Sequence, residues 1–281
     1  MGDEPLSEYT TILVDKADGI TTVTFNRPEK RNAMNPLLHR EMYDVLTRLE
    51  GDAETRVLVL TGAGTAFCAG QDLKAYFKDT EGDEHERALN RRISNDWRDR
   101  ILRMFPRPTI AMVNGFCFGG AFTIVAACDF AIAADDATFG LSEVNWGAIP
   151  GGLVSKVISG QMAYRDALYY AMLGETFDGR RATEIKFVNR SVPGDRLQDE
   201  VTALARRLAD MDGAALRATK EAFKQVVDMT YEQAYWWLTS KSNELRLGQA
   251  DRQSGGDGID KFLAKDYRPG LGSHTDVKKP G

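Results

Sequence analysis

Cysteine and histidine are scarce in this chain of 281 residues, which holds three of each. Cys68, Cys117 and Cys128 show no CxxC pairing, which excludes a disulfide scaffold and points to a reduced, cytoplasmic protein. His39, His85 and His274 are scattered along the chain, so neither a Ser-His-Asp triad nor a histidine metal site is expected. The chain also lacks GxxxxGK[ST], GxGxxG after a strand, HExxH and GxSxG, the usual marks of nucleotide, metal and serine-hydrolase chemistry. No dense Lys/Arg block occurs, and 36 basic against 41 acidic residues give a net charge of −5 and a pI near 5.4. That balance argues against nucleic acid as a partner. The opening segment MGDEPLSEYT has neither a basic nor an apolar region, so no secretory signal is read there.

Charge is missing from one long stretch, Pro108–Cys128, which carries a GxxxG at Gly115–Gly119. By length alone it could span a bilayer, which takes about 20 residues. Asn114-Gly115 is a turn signal, however, and Gly119-Gly120 a second break. The stretch therefore predicts a buried strand, turn and helix, with no membrane partner.

What is present reads as a globular α/β chain, 43% hydrophobic and 27% charged. Residues 10–26 alternate around Asp18-Gly19, which predicts a β-hairpin. Asn35-Pro36 starts a helix whose apolar face is Leu38, Met42, Val45, Leu46 and Leu49. Arg56–Thr61, Thr109–Val113 and Phe130–Ala134 are short apolar runs suited to strands buried on both faces, with a polar helix from about Glu84 to Met104 between the first two. This order implies right-handed βα units. From Leu197 the pattern is helical, through 213–228 and Tyr231–Leu247, before a flexible Ser254–Gly258 and a disordered tail. The expected division is a core over 1–197 and a helical region with a flexible tail over 198–281.

Glycines cluster after two of these strands, in Ala69-Gly70-Gln71-Asp72 and in Gly115 through Gly119-Gly120. Glycine lets a backbone approach a ligand, and Gly120 precedes a helix whose dipole would reinforce its N–H. Two such N–H groups could make an oxyanion hole; tight strand-to-helix packing is the other use of the same glycines. Glu143 lies among Phe139, Leu141, Val144 and Trp146, where poor solvation would raise its pKa and suit it to acid/base work; the alternative is a surface glutamate.

Five separated segments then match one family in order: Asn26-Arg27-Pro28-Glu29-Lys30-Arg31-Asn32-Ala33, Ala66 to Asp72, Asn114-Gly115 to Gly119-Gly120, Cys128-Asp129, and Phe139-Gly140 through Glu143, Gly147 and Ile149-Pro150-Gly151. The chain resembles the crotonase (enoyl-CoA hydratase/isomerase) superfamily over roughly residues 10–265. The resemblance implies a spiral of ββα units with a helical C-terminal trimerisation layer, assembled as trimers or dimers of trimers. It implies a CoA thioester as substrate, no permanently bound cofactor and no metal. By position the oxyanion donors are the N–H groups of Gln71 and Gly120, while Lys30, Ala69 and Leu73 line the CoA site. Phe262 and Lys265 would reach CoA from a neighbouring subunit.

Ordinary hydratases of the superfamily carry a second catalytic glutamate at the position of Thr123, leaving Glu143 alone here. The fuller match, through Asp72 to Phe77, Trp97, Leu102 to Met104, Gly115 to Phe122 and Ser142 to Gly147, is similar to hydroxycinnamoyl-CoA (feruloyl-CoA) hydratase-lyases. Those use a single glutamate to hydrate and then cleave 4-hydroxycinnamoyl-CoA into an aromatic aldehyde and acetyl-CoA. The alternative is a 2-enoyl-CoA hydratase or isomerase without C–C cleavage. Tyr76 matches one of two expected phenol-binding tyrosines; the other position is Thr239, with Tyr235 one helical turn away. Gln71 replaces a usual Met, and Thr123, Ser142, Trp146 and Gly151 complete the expected substrate-binding set.

Overall fold

The computed structural model describes residues 9–250 and Leu263. The first eight residues, the Ser254–Gly258 break, Phe262, Lys265, His274 and the tail lie outside the described residues. The chain divides into two compact units at Arg217/Ala218.

The first unit opens with the expected hairpin, β1 (Ile12–Ala17) against β2 (Ile20–Phe25). Asp18 and Gly19 both have positive φ, 53° and 76°, as a two-residue turn matched to strand twist requires. Asn35 caps α1 (Pro36–Glu50) by accepting from the Leu38 N–H, and α1 buries Leu38, Met42, Val45, Leu46 and Leu49. The next strands come in pairs, one long and one of three residues: β3 (Val57–Gly62) with β4 (Ala66–Cys68), β5 (Thr109–Val113) with β6 (Phe116–Phe118), and β7 (Phe130–Ala134) with β8 (Thr138–Gly140). A helical segment follows each pair, beginning with α2 (Glu84–Asn95) and α3 (Ala121–Ala127).

Members of a pair go to different sheets. The large sheet runs β1-β2-β3-β5-β7-β10, with β10 at Arg190–Val192, and all its pairings after the first hairpin are parallel. The small sheet runs β4-β6-β8-β9, with β9 at Thr176–Asp178; β4, β6 and β8 are parallel and β9 closes it antiparallel. Successive ββα turns thus stack as a spiral.

The charge-free stretch became β5, β6 and α3, and no helix among the described residues is long and apolar enough to cross a membrane. The expected polar helix over 84–104 is regular only to Asn95. It then widens into a π-helical segment, Asp96–Leu102, that turns Trp97, Arg98 and Leu102 inward. After α4 (Val154–Gln161), α5 (Tyr164–Leu173) and α6 (Gly179–Glu184), helix α7 (Leu197–Ala209) buries Leu197, Val201, Ala205 and Leu208 against the large sheet. The compact unit therefore continues past the expected boundary at 197/198. Helix α8 (Gly213–Val226) crosses the division. In the second unit α9 (Tyr231–Ala250) carries Lys241, which pairs with Glu221 and, at 3.0 Å, with Glu244.

Candidate active site

The three-residue strands of the small sheet set the site. Gln71 lies three residues beyond β4, Gly120 two beyond β6 and Glu143 three beyond β8, each past the carboxyl end of a parallel strand. Open α/β sheets bind ligands outside the carboxyl ends of their strands. Beneath them, Phe139 stacks on Phe177 at 5.3 Å and Phe122 on Phe187 at 4.8 Å. Each such pair stabilises by about 0.5–1.5 kcal/mol, and the edge-to-face contact of Phe122 with Phe139 at 6.1 Å ties α3 to β8.

Two glycines bring the loops into contact. Gly70 has φ +88°, and a Cβ there would stand 2.8 Å from the Phe118 carbonyl oxygen and 3.5 Å from the Gly120 nitrogen. Gly119 has φ +51°, and a Cβ there would stand 3.0 Å from Glu143 Oε1. Both positions thus need glycine for conformation and for space.

The 70–72 loop is anchored by its neighbour. The Met34 N–H donates to Gly70 O at 2.8 Å, Asp72 N–H to Met34 O at 2.9 Å and Ala69 N–H to Arg31 O at 2.9 Å. Arg27 pairs with Asp72 at 3.0 Å, and Asp72 caps the turn that follows by accepting from the Ala75 N–H. Among the described residues, the N–H groups of Gln71 and Gly120 lie outside the ladders and donate to no carbonyl.

Glu143 opens a short 3₁₀ turn ending at Gly147. Its Oε2 is buried and has no hydrogen-bond partner. Burial pushes the carboxyl above its ordinary value, against a smaller pull from its own backbone N–H. The cysteines offer no competing nucleophile: all three are free and buried, and burial pushes the Cys68 thiol up to about 12.

Behind the loops lies a polar chain that sequence reasoning missed. Trp97 Nε1 donates to His39 Nδ1 at 2.9 Å, leaving the other ring nitrogen, Nε2, to donate to Gln71 Oε1 at 2.8 Å. Gln71 Nε2 reaches Ser94 Oγ at 3.3 Å, and Arg98 Nη2 donates to the same oxygen at 2.9 Å. Arg98 Nη1 continues to Gly120 O and Thr123 Oγ1, both at 3.3 Å. His39, Trp97 and Ser94 are fully buried, and desolvation holds the His39 pKa down to about 3, so it is neutral. The one available signal was His39 itself, a polar residue beside Leu38 on the apolar face of α1.

The remaining expected residues divide by place. Lys30 ends an exposed turn at Pro28–Lys30, next to Arg31, whose carbonyl holds Ala69 and whose guanidinium lies 4.5 Å from the Phe116 ring centre. Leu73 is exposed and Tyr76 half-buried in the π-helical turn Leu73–Lys78, with the Tyr76 ring edge-on to His39 at 5.5 Å. Thr123 is buried and donates its hydroxyl to Gly120 O at 2.8 Å, so it faces the protein interior. Ser142 is half-buried beside Glu143, while Trp146, at 71% exposure, and Gly151 stand on the surface. Tyr235 and Thr239 belong to α9 in the second unit; Tyr235 is exposed, and the Thr239 hydroxyl donates to its carbonyl at 2.8 Å. No group of His, Cys, Asp and Glu among the described residues could hold a metal ion.

Comparison with known proteins identifies the family. The enoyl-CoA hydratase/isomerase family model matches residues 15–267. The chain is 48% identical over 266 residues to a hydroxycinnamoyl-CoA hydratase-lyase of Pseudomonas fluorescens, covering 94% of this chain and 96% of that protein. Its fold is similar to crystal structures of enoyl-CoA hydratases from Bacillus anthracis (TM-score 0.81, 28% identity, covering 91% of this chain and 97% of that one) and Mycobacterium smegmatis (TM-score 0.82, 27% identity, the same coverage). The ββα spiral, the glycine loops beyond the short strands and the family match together establish that the chain belongs to the enoyl-CoA hydratase/isomerase family.

Proposed function

We propose that this enzyme is a hydratase-lyase that converts 4-hydroxycinnamoyl-CoA thioesters (feruloyl-, coumaroyl- or caffeoyl-CoA) into an aromatic aldehyde and acetyl-CoA, giving vanillin from feruloyl-CoA. The observation that carries the reading is the buried, unpartnered Oε2 of Glu143, held against Gly119 beside two loops with unengaged N–H groups. The 48% identity to a hydratase-lyase supports the choice of substrate class.

In the first step the Glu143 carboxylate takes a proton from water as the oxygen adds to C3. The C2–C3 π pair moves onto the thioester oxygen, where the Gln71 and Gly120 N–H groups hold the enolate. One such donor is worth about 3–4 kcal/mol in a dry site. The enolate then takes the proton back from Glu143 at C2. In the second step Glu143 accepts the C3 hydroxyl proton, the C2–C3 bond breaks toward the thioester enolate, and the aldehyde leaves. Protonation at C2 by Glu143 completes acetyl-CoA. A para-hydroxyl on the ring, held by Tyr76, helps because a phenolate pushes electrons toward C3.

Lys30, Ala69 and Leu73 would hold CoA, and Ser142, Trp146 and Gly151 would border the acyl group. The same reading includes a cytoplasmic trimer or dimer of trimers in which the 198–281 region supplies Phe262 and Lys265 to a neighbouring site. Sedimentation of the purified protein tests the assembly.

Incubation with feruloyl-CoA and with crotonyl-CoA tests the reaction, vanillin and 3-hydroxybutyryl-CoA being the products followed. Vanillin formation supports the lyase. The Thr239 position favours one other reading, and hydration of crotonyl-CoA with no aldehyde from feruloyl-CoA would establish that plain hydratase instead.

A further inference from the structure

A buried arginine normally faces a carboxylate, because an isolated charge in a dry interior is strongly unfavourable. Arg98 is 5% exposed and forms no ion pair among the described residues. All its hydrogen bonds go to neutral oxygens: Ser94 O at 2.9 Å, Ser94 Oγ, Asn95 Oδ1 at 3.4 Å, Gly120 O and Thr123 Oγ1. Asp99, its sequence neighbour, acts on it only through space. A guanidinium stays protonated in such surroundings, so this region of the first unit holds a buried positive charge that burial disfavours, that Asp99 offsets only in part through space, and that no carboxylate is bonded to.

The location of that charge gives it a use. Arg98 Nη1 stands 3.1 Å from where a Cβ on Gly120 would be, and Gln71 Cγ 3.9 Å from the same point. Through Ser94 the guanidinium also reaches the Gln71 side chain, whose other end is fixed by His39. The chain of bonds thus grips both residues assigned as oxyanion donors.

We propose that Arg98 is a positioning residue for the oxyanion site, fixing Gly120 and Gln71 through neutral bonds and leaving its charge to be balanced by the enolate formed during turnover. The inference rests on the hydratase-lyase reading of the same site. An interaction that exists only once the thioester oxygen becomes negative lowers the barrier without tightening ground-state binding. It also explains why a carboxylate partner is missing: one would cancel the field before the substrate could use it.

The test compares the full-length enzyme with Arg98→Met and Arg98→Lys. Arg98→Met is expected to lower kcat for feruloyl-CoA by about tenfold or more, as loss of oxyanion stabilisation does, with KM within about threefold. Its melting temperature should hold or rise, since a buried unpaired charge is removed. Arg98→Lys should recover part of kcat. In a Glu143→Gln background, where turnover is slow enough to observe the bound substrate, the red shift in absorbance of bound feruloyl-CoA reports carbonyl polarisation and should shrink with Arg98→Met. If that variant does not fold, Arg98→Gln, which keeps a donor without charge, carries the same expectation. An unchanged kcat and red shift in a folded variant would overturn the proposal, as would a loss matched by the unfolded fraction. Absence of aldehyde from the unaltered enzyme would instead overturn the hydratase-lyase reading, and the red shift would still decide the role of Arg98.

Discussion

The regions around Glu41 and Glu143 treat a carboxylate withdrawn from water in opposite ways. Glu41, on α1, accepts from the N–H and hydroxyl of Thr10 at 2.9 and 3.0 Å, from the Thr11 N–H at 2.8 Å and from the Thr11 hydroxyl. It fastens the strand entering the hairpin to the first helix. Glu143 keeps Oε2 buried with no partner, a deficit that costs stability and leaves an oxygen free to take a proton. A saturated carboxylate builds the fold; an unsatisfied one is available for chemistry.

Substitutions at each side break or sharpen that contrast, beginning with the largest effect. Glu143→Gln should lower turnover of feruloyl-CoA by about 10²–10⁴-fold, the usual worth of a positioned acid/base. Steady-state kinetics measures it. The same change should raise the melting temperature at neutral pH. The sign follows from linkage: a raised carboxyl binds its proton more tightly folded than unfolded, so its ionisation drains stability as pH climbs above the ordinary glutamate range. An amide removes that drain. Glu41→Ala should do the reverse, lowering stability by about 1–3 kcal/mol through the donors it orphans and leaving kcat/KM unchanged. Denaturant melts and kinetics on one preparation separate the two.

Gly119→Ala tests the contact between the glycine loop and Glu143. Left-handed backbone strain of about 1–2 kcal/mol and a Cβ 3.0 Å from Oε1 should reduce activity by displacing the carboxylate. The smallest effect is expected at His39. Because its pKa falls from 6.5 to about 3 on folding, wild-type stability should decline as pH drops from 6.5 toward 3. Melts across that range should show a shallower decline for His39→Asn.

The sequence carried the hairpin, the capped first helix and the long strands because each has a periodicity or a turn signal. It did not carry β4, β6, β8 and β9, whose three residues are too few for any alternation to register, and the first three of these aim the site. Gln71, Gly120 and Glu143 were legible as glycine loops and an apolar-flanked acid, and the family resemblance joined them. The network behind them was not. His39 and Arg98 lie 59 positions apart in the sequence, and Arg98 sits in a stretch polar enough to pass for a solvated helix until the π turn rolls it inward. Burial of that kind is a tertiary outcome that a window of local sequence does not contain.

Hydration followed by C2–C3 cleavage requires a solvent-derived proton at C2 in each step, and isotope labelling tests that most directly. Feruloyl-CoA turned over in D2O should yield acetyl-CoA whose methyl group carries two solvent deuterons by mass spectrometry, one from hydration and one from cleavage. Vanillin released with an acetyl group bearing one deuteron or none would contradict it.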